Sequence, residues 1–299
     1  MTIRRTSSRP RRRWLWAVLT LLILLAAGTG LLLSLRPDVR TQLETAWIQW
    51  REEMPLREQA LPANSLSAVS LAAAQAGETS LTWNQNLLLV NADHPLQEEL
   101  PLTLFSDTGL SVSPALVEPF TQLIEDVRSA CNQPLYILSS YRTPEEQAQE
   151  YAKNPENAAQ PGESEHETGL ALDVCTYQYA GAGFLKSPAG RLVNQEGWKR
   201  GFIIRYPAGK QAITGIPFEP WHIRYVGTPH AEILFKNDWT LEEYLDELDL
   251  GKFYAVGDRP VWISRQEASD GKLYIPPESQ SVSVSPDNTG SYILTISLV

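Results

Sequence analysis

The chain has 299 residues, of which 43% are hydrophobic and 20% charged, and its formal net charge is −10. This is enough sequence for one ordinary domain with attached segments, and enough apolar residues for a sizeable core. Seven arginines and no acidic residues fall within residues 1–36, so the rest of the chain holds 18 basic and 35 acidic residues. This acidity excludes a typical nucleic-acid-binding protein, and we expect no nucleic-acid partner.

A long apolar segment lies near the N-terminus. Trp14 to Leu35 carries no charge, and as a helix it would span about 33 Å, enough for a bilayer core of about 30 Å. Six arginines precede it, namely Arg4, Arg5, Arg9, Arg11, Arg12 and Arg13. Because basic residues stay on the cytoplasmic side, we predict a cytoplasmic tail at residues 1–13, a single-pass transmembrane anchor at residues 14–35 and an extracytoplasmic remainder.

A cleaved signal peptide is the alternative interpretation of this segment. Ala26-Ala27-Gly28 offers the small residues that a cleavage site needs. Signal peptides have apolar cores of about 7–15 residues, however, and this run is longer. The sequence therefore favours an uncleaved anchor, and the body is exported in either case.

Residues 36–80 carry no strong signature and are predicted to be a stalk and linker. Val39 to Glu58 is rich in charge and in helix-forming residues, which favours a short helical stalk. Ala60 to Thr79 is small and polar, which is typical of a spacer. We therefore place the main domain at residues 81–250.

The first half of this domain alternates predicted strands and helices. Leu87–Val90 is a candidate strand, and Pro114 to Ala130 is a helix because its apolar residues recur at helical spacing, namely Leu116, Phe120, Leu123, Ile124 and Val127. Leu135–Ser139 is the next strand. Thr143-Pro144-Glu145-Glu146 then matches a capping box with proline at the first helical position, so Arg142 lies at a strand-to-helix junction.

The second half continues the alternation. Strands are predicted at Leu170–Val174, Phe202–Tyr206 and His222–Val226. Ser187-Pro188 opens a helix that Gly201 closes, and Thr240 caps a last amphipathic helix. On its own, such alternation with short connections favours a parallel sheet.

The sequence changes in character after Gly251. Four short β-forming runs follow, separated by Asp-Gly, Pro-Pro and Asp-Asn-Thr-Gly turns: Val261–Ser264, Leu273–Ile275, Ser281–Ser285 and Tyr292–Leu298. We predict a C-terminal β appendage at residues 251–299. A piece of this size has little core of its own and is expected to pack on the main domain.

Two short stretches offer the residues of a metal site. His166 and Asp173 lie seven residues apart around a glycine, and Glu219 and His222 lie three apart. Two imidazoles and one carboxylate are a common ligand set of catalytic zinc, which leaves a fourth position for water. A second carboxylate nearby can take the proton of that water. The alternative is a pair of satisfied surface histidines in acidic loops.

The same stretches resemble the zinc D-alanyl-D-alanine carboxypeptidases of the VanY-like family, within the hedgehog/lysostaphin-type zinc peptidase superfamily. The resemblance rests on SEHETGLALD, EPWHIRYVG, the intervening GFIIRYPAGKQAITGIPFEPWH and the upstream SSYRTPEEQ, in the family's order, and it covers roughly residues 82–250. It implies that His166, Asp173 and His222 bind one Zn²⁺ and that Glu219 is the catalytic base. It also implies an α+β fold, with a small antiparallel sheet, flanking helices and the zinc on its open face.

The resemblance also implies a substrate pocket. Arg142 matches the arginine that binds the substrate carboxylate, which makes it a catalytic residue as well as a substrate-binding one. The alternative for Arg142 is a surface ion pair with Glu145 or Glu146. Four other pocket residues are implied by the same matching, namely Gln147, Ser164, Tyr206 and Trp221, although Trp221 is equally compatible with core packing.

The function implied is that of a membrane-anchored enzyme of the bacterial cell membrane that removes the C-terminal D-alanine from peptidoglycan stem peptides. An L,D-carboxypeptidase acting on tetrapeptide stems shares these motifs and is an open alternative. A non-catalytic zinc module that binds the cell wall is a second alternative. We expect a monomer.

The two cysteines, and the two histidines outside the predicted metal site, are predicted to take no part in catalysis. Cys131 and Cys175 are the only cysteines, and either a disulfide or two separately buried thiols fits an exported protein. His94 is predicted to be a turn residue and His230 a structural one.

Overall fold

The computed structural model describes residues 10–61, 65–96, 105–107, 109–155 and 158–298. It shows a mixed α+β protein, as predicted. Helix α1 (Pro10–Leu35) is, within these residues, the one helix long and apolar enough to cross a membrane, and none of its window Val18–Leu35 is buried against the rest of the protein. Helix α2 (Pro37–Arg51) follows after Arg36, because Pro37 has no N–H and starts a new helix at its first position.

The main domain is built on a four-stranded sheet. Its strands are β6 (Tyr136–Ser139), β7 (Ala171–Cys175), β8 (Phe202–Ile204) and β9 (His222–Tyr225), in the order β6-β7-β9-β8. All three pairings are antiparallel. The parallel sheet favoured by the alternation of strands and helices is therefore wrong, because β9 inserts between β7 and β8. The antiparallel sheet implied by the family resemblance is confirmed.

Helices flank this sheet. They are α4 (Val117–Cys131), α5 (Pro144–Lys153), α6 (Pro188–Glu196), α7 (Gln211–Thr214), α8 (His230–Asn237) and α9 (Leu241–Asp246). The apolar stripe of α4 packs on the sheet, where Phe120 and Leu123 share one core cluster with Leu172. Pro119 lies in the first turn of α4, where no intrahelical N–H bond is lost.

A second sheet joins the two ends of the chain. Strands β10 (Phe253–Val256), β11 (Val261–Gln266), β13 (Ser279–Pro286) and β14 (Tyr292–Leu298) form its C-terminal part. Strand β1 (Leu56–Gln59) pairs with β10, and β3 (Thr82–Trp83) pairs with β13. A separate pair joins β2 (Ser67–Ser70) to β12 (Lys272–Ile275), and α3 (Leu71–Gln75) follows β2. We call this unit, residues 56–83 with residues 253–298, the β subdomain.

The β subdomain corrects the expected linker. The interpretation of Ala60 to Thr79 as a spacer is wrong where β2 and α3 lie, and Leu56–Gln59 is a strand rather than part of a helical stalk. The small polar residues of this segment give no local sign of a strand, because the strands they pair with are about 200 positions away in the sequence. The C-terminal β runs are present, but they share their sheet with the N-terminal segment.

The predicted strand at Leu87–Val90 is also wrong. These residues are buried but irregular. Their backbone groups bond outside any ladder, since Leu88 O accepts from the Arg224 guanidinium and Leu89 N donates to Asp287 O. A short hairpin that was not predicted follows, formed by β4 (Phe105–Asp107) and β5 (Leu110–Val112).

The cysteines and histidines predicted to take no part in catalysis have the surroundings of structural residues. Cys131 and Cys175 are both free thiols, so the disulfide alternative is wrong. His94 closes the turn that begins at Asn91. His230 is buried at the border with the β subdomain, between the Tyr244 hydroxyl at 2.7 Å and the Thr295 hydroxyl at 2.8 Å.

Candidate active site

Two neighbouring strands and one turn bring three donor side chains together. Asp173 on β7 and His222 on β9 are direct cross-strand partners. His166 lies in the 3₁₀ turn Glu165–Thr168, which Gly169 ends with a φ of +69° before β7 begins. The Asp173 carboxylate lies 3.0 Å from His222 Nδ1 and 3.4 Å from His166 Nε2. All three donor atoms fall within 4.8 Å of one another.

Hydrogen bonds fix the imidazole nitrogens that face this cluster. His166 Nδ1 donates a hydrogen bond to Ser140 O at 2.7 Å. The other ring nitrogen, Nε2, therefore keeps its lone pair for a metal ion. His222 presents Nδ1 to the cluster, and its Nε2 points at Glu165 Oε2, 3.7 Å away. Among the described residues, His222 Nε2 and Glu165 Oε2 have no hydrogen-bond partner. A carboxylate behind a ligating imidazole is the usual support of a zinc ligand.

The donor set fits a zinc ion. Two buried imidazoles and one partly exposed carboxylate line one cleft, and this is the ligand number that leaves a position for water in catalytic zinc sites. Burial opposes the charge of Asp173, but the two neighbouring imidazoles of His166 and His222 outweigh it and lower the pKa of Asp173 well below its usual range. Burial lowers the pKa of His166, so that this ring is a neutral donor.

Glu219 lies beside the donors without joining them. Its Oε2 is 4.0 Å from His222 Nδ1, and its backbone N–H donates to Tyr206 O at 3.0 Å. Burial raises the pKa of Glu219 to about 7. A carboxyl group with a pKa near the working pH is suited to take and return a proton.

Arg142 also lines this cleft. Its backbone N–H donates to His166 O, and its Nη1 donates to Gln147 Oε1 at 2.7 Å. Gln147 is itself held by Ala159 O at 2.7 Å. The buried Arg142 Nε has no partner, and within the described residues no carboxylate lies within ion-pair distance of Arg142. The expected alternative, an ion pair with Glu145 or Glu146, is therefore wrong, since Glu146 instead closes the capping box at Thr143.

One cavity of about 380 Å³ brings the nine residues predicted for the site together, namely Arg142, Gln147, Ser164, His166, Asp173, Tyr206, Glu219, Trp221 and His222. Tyr206 packs its ring 4.8 Å from that of His222. Trp221 lines the cavity and also packs against the main core. Three further lining residues were not predicted, namely Ile216, Pro217 and Phe218, before β9.

A buried ionic cluster behind His222 was also missed. Glu165 Oε1 accepts from Arg205 Nε and from Arg224 Nη1, both at 2.6 Å, and Arg205 also pairs with Glu242 at 2.6 Å. The side chains of Glu165, Arg205 and Arg224 are fully buried. Burial opposes the charge of Glu165, but the two guanidinium groups outweigh it and hold its pKa far below the usual range. The signal was an arginine inside each of two apolar strand runs, because buried arginines need partners.

The comparisons with known proteins identify relatives for the region that contains this site. The family model VanY, described as D-alanyl-D-alanine carboxypeptidase, matches residues 109–228. The bifunctional D-Ala-D-Ala dipeptidase and D-Ala-D-Ala carboxypeptidase VanXYC of Enterococcus gallinarum is 37% identical over 181 residues, which are 54% of this chain and 94% of that relative.

Two further matches differ in how much of each protein they cover. A D-alanyl-D-alanine carboxypeptidase of Enterococcus faecium is 35% identical over 193 residues, which are 58% of this chain and 62% of that relative. The solved structure of the vancomycin resistance D,D-dipeptidase VanXYg, in complex with a D-Ala-D-Ala phosphinate analog, matches with a TM-score of 0.61 and 26% identity. That match covers 78% of this chain and 98% of the other.

Proposed function

This chain belongs to the VanY family of D-alanyl-D-alanine carboxypeptidases, and from that premise we propose that it removes the C-terminal D-alanine from peptidoglycan stem peptides. The observation that carries the proposal is the shared cleft. It holds two buried imidazoles and one partly exposed carboxylate that can bind a metal, a carboxyl group with a raised pKa and a guanidinium with an unused buried N–H.

The proposed chemistry divides between the donors and Glu219. His166, Asp173 and His222 would hold a zinc ion, which would supply polarisation of the scissile carbonyl and a water molecule with its pKa lowered to about 7. Glu219 takes the proton of that water and returns it to the departing amine, and a pKa of about 7 suits both transfers. Glu165, held by two arginines, keeps the His222 ring oriented through its Nε2 side.

Arg142 makes the proposed enzyme an exopeptidase. A free C-terminal carboxylate one residue beyond the scissile bond would accept from the Arg142 guanidinium, whose fork matches two carboxylate oxygens. Gln147 holds that fork without neutralising it, because an amide carries no charge. Ser164, Tyr206 and Trp221 complete the pocket around the substrate.

The proposed location is the outer face of the bacterial cell membrane, with α1 as an uncleaved anchor. Its support is the apolar window Val18–Leu35 and the arginine-rich residues that precede it. This places the cleft on the side where peptidoglycan lies.

Mass spectrometry of defined stem peptides tests the function. The full chain, purified in detergent with zinc, is incubated with stem pentapeptide ending in D-Ala-D-Ala and, separately, with tetrapeptide ending in one D-Ala. We expect the pentapeptide to lose one alanine and the tetrapeptide to remain. The Glu219→Gln variant is the matched control, because it keeps the metal donors.

Three other outcomes would contradict the proposal. Loss of alanine from the tetrapeptide alone would make the protein an L,D-carboxypeptidase. Release of a D-Ala-D-Ala dipeptide would indicate a peptidyl-dipeptidase. No product with a fully zinc-loaded chain would support the non-catalytic module.

A further inference from the structure

Helix α2 has two faces of different character. One face packs on the main domain, where Thr41 is 1% exposed and Glu44 reaches Gln195. The other face carries Leu43, Trp47 and Trp50, which are 57%, 58% and 72% exposed. These three residues lie at helical spacings of four and three, so they form one stripe. We call Leu43, Trp47 and Trp50 the aromatic stripe.

The arginines beside the aromatic stripe are already paired. Arg36 bonds to Asp38 at 2.9 Å, Arg40 to Glu44 at 2.7 Å and Arg51 to Glu52 at 2.7 Å. Each pair is neutral as a unit, so the stripe offers an apolar and indole surface rather than a net charge. The two indoles touch each other, with ring centroids 5.1 Å apart.

The position of the aromatic stripe in the chain identifies what covers it. Helix α1 ends at Leu35, and α2 begins at Pro37. A membrane-spanning α1 therefore brings α2 to the lipid headgroups at once. Tryptophan is enriched at this depth, because its ring is apolar and its N–H is polar. A helix with an apolar face and a polar opposite face lies along this interface.

We propose that α2 lies on the outer surface of the phospholipid bilayer, with the aromatic stripe inserted at the headgroup level. This inference rests on the membrane anchor of the proposed function. The opposite face of α2 then fixes the orientation of the catalytic domain to the membrane. Residues of that face and of the catalytic domain, among them Thr45 and Phe218, line a cavity of about 270 Å³. Phe218 also lines the active-site cleft, so this cavity lies next to that cleft.

Quenching of tryptophan emission by brominated lipid tests this inference. The full chain is reconstituted in liposomes of ordinary phosphatidylcholine and of the same lipid brominated at a shallow acyl position. The difference between the two emission spectra reports the tryptophans in contact with lipid. The variant Trp47→Phe/Trp50→Phe removes the two indoles and keeps an apolar stripe. The matched control is Trp83→Phe/Trp262→Phe, which removes two tryptophans of the β subdomain core.

We expect the stripe variant to lose about half of the difference spectrum, since the other tryptophans near lipid are Trp14 and Trp16. The control variant should keep all of it. Because the arginines are paired, 0.5 M salt should leave the quenching unchanged, at a Debye length of only about 4 Å. An unchanged difference spectrum in the stripe variant overturns the inference, and concentration-dependent cross-linking through α2 in that case would identify a second copy of the chain as the occupant.

The anchor is tested separately. Intact mass of the protein recovered from cell membranes reports whether α1 is retained. A chain that lacks its first ~28 residues refutes the anchor. An intact chain whose aromatic stripe is not quenched refutes the position of α2 alone. The two failures are therefore distinguishable.

Discussion

The four-stranded sheet of the main domain and the six-stranded sheet of the β subdomain use their interiors differently. The first carries Asp173 and His222, with Arg224 on the same strand as His222 and fully buried. The second packs an apolar cluster that includes Val284, Leu294 and Ile296, all 0% exposed. The difference predicts that single changes in the first region act through charge and metal, and that changes in the second act through packing volume.

The largest effect is expected from the metal donors. His166→Ala, Asp173→Ala and His222→Ala should each lose most of the bound zinc, because two remaining donors are too few for tight binding. Metal content of the purified variants is the measurement. His94→Ala is the matched control, since His94 lies in a turn and should keep one zinc per chain. Equal zinc in the donor variants and the wild type would show that the ligands are assigned wrongly.

A smaller effect is expected from the base. Glu219→Gln should keep its zinc and its fold but lose about 10²–10⁴-fold in kcat, because an amide cannot accept the proton of water. The measurement is steady-state hydrolysis of the pentapeptide with zinc content checked in parallel. Glu150→Gln changes another carboxylate of the same cleft and should have little effect. Near-normal turnover in Glu219→Gln would move the base to another carboxylate.

Glu165 sharpens the comparison, because it links buried charge to the metal. Glu165→Gln leaves Arg205 and Arg224 without their shared carboxylate, and breaking a buried pair commonly destabilises a protein by about 3–5 kcal/mol. It also removes the charge behind His222, which should weaken zinc binding about 10–100-fold. Denaturant unfolding and zinc competition are the measurements. A variant with normal zinc affinity would make Glu165 a purely structural residue.

The smallest effect on activity is expected from the β subdomain. Leu294→Ala should lower the free energy of unfolding by about 2–5 kcal/mol, because the core loses volume without losing charge. Its zinc content and kcat should stay at the wild-type values under folding conditions. Leu294→Met preserves volume and is the control for packing. A loss of kcat with full zinc occupancy would show that the two sheets are coupled.

The two regions also differ in how far the sequence predicts them. The candidate metal donors lie in two short motifs, and each motif folds locally into a turn and the strand that follows it. The capping box at Thr143 is local in the same way, and the structure shows both of its hydrogen bonds. Such features are predictable because the residues that determine them are neighbours in the chain.

The features that were missed depend on distant partners. Strand β1 is defined by its pairing with β10, and β2 by its pairing with β12, so neither has a local signature. Leu87–Val90 has the composition of a strand, but Arg224 and Asp287 take up its backbone groups. The ionic cluster of Glu165 similarly joins residues from four separate segments of the chain.

Arg142 offers the most direct test of the proposed function, because it distinguishes a carboxypeptidase from an endopeptidase. Arg142→Ala should lower kcat/KM by about 10- to 1,000-fold, since a charge-assisted hydrogen bond is worth about 1.5–3 kcal/mol and the substrate carboxylate would also be left unpaired. Arg142→Lys should recover only part of this, because a point charge cannot form the fork.

The decisive measurement combines this variant with a modified substrate. Stem pentapeptide with a free or an amidated C-terminus is offered to the wild type and to Arg142→Ala, and kcat/KM is measured for all four combinations. We predict that amidation strongly lowers kcat/KM of the wild type and hardly changes that of the variant, because only the wild type binds the carboxylate. An equal loss in both enzymes would contradict the account, since Arg142 would then not bind the C-terminus of the substrate.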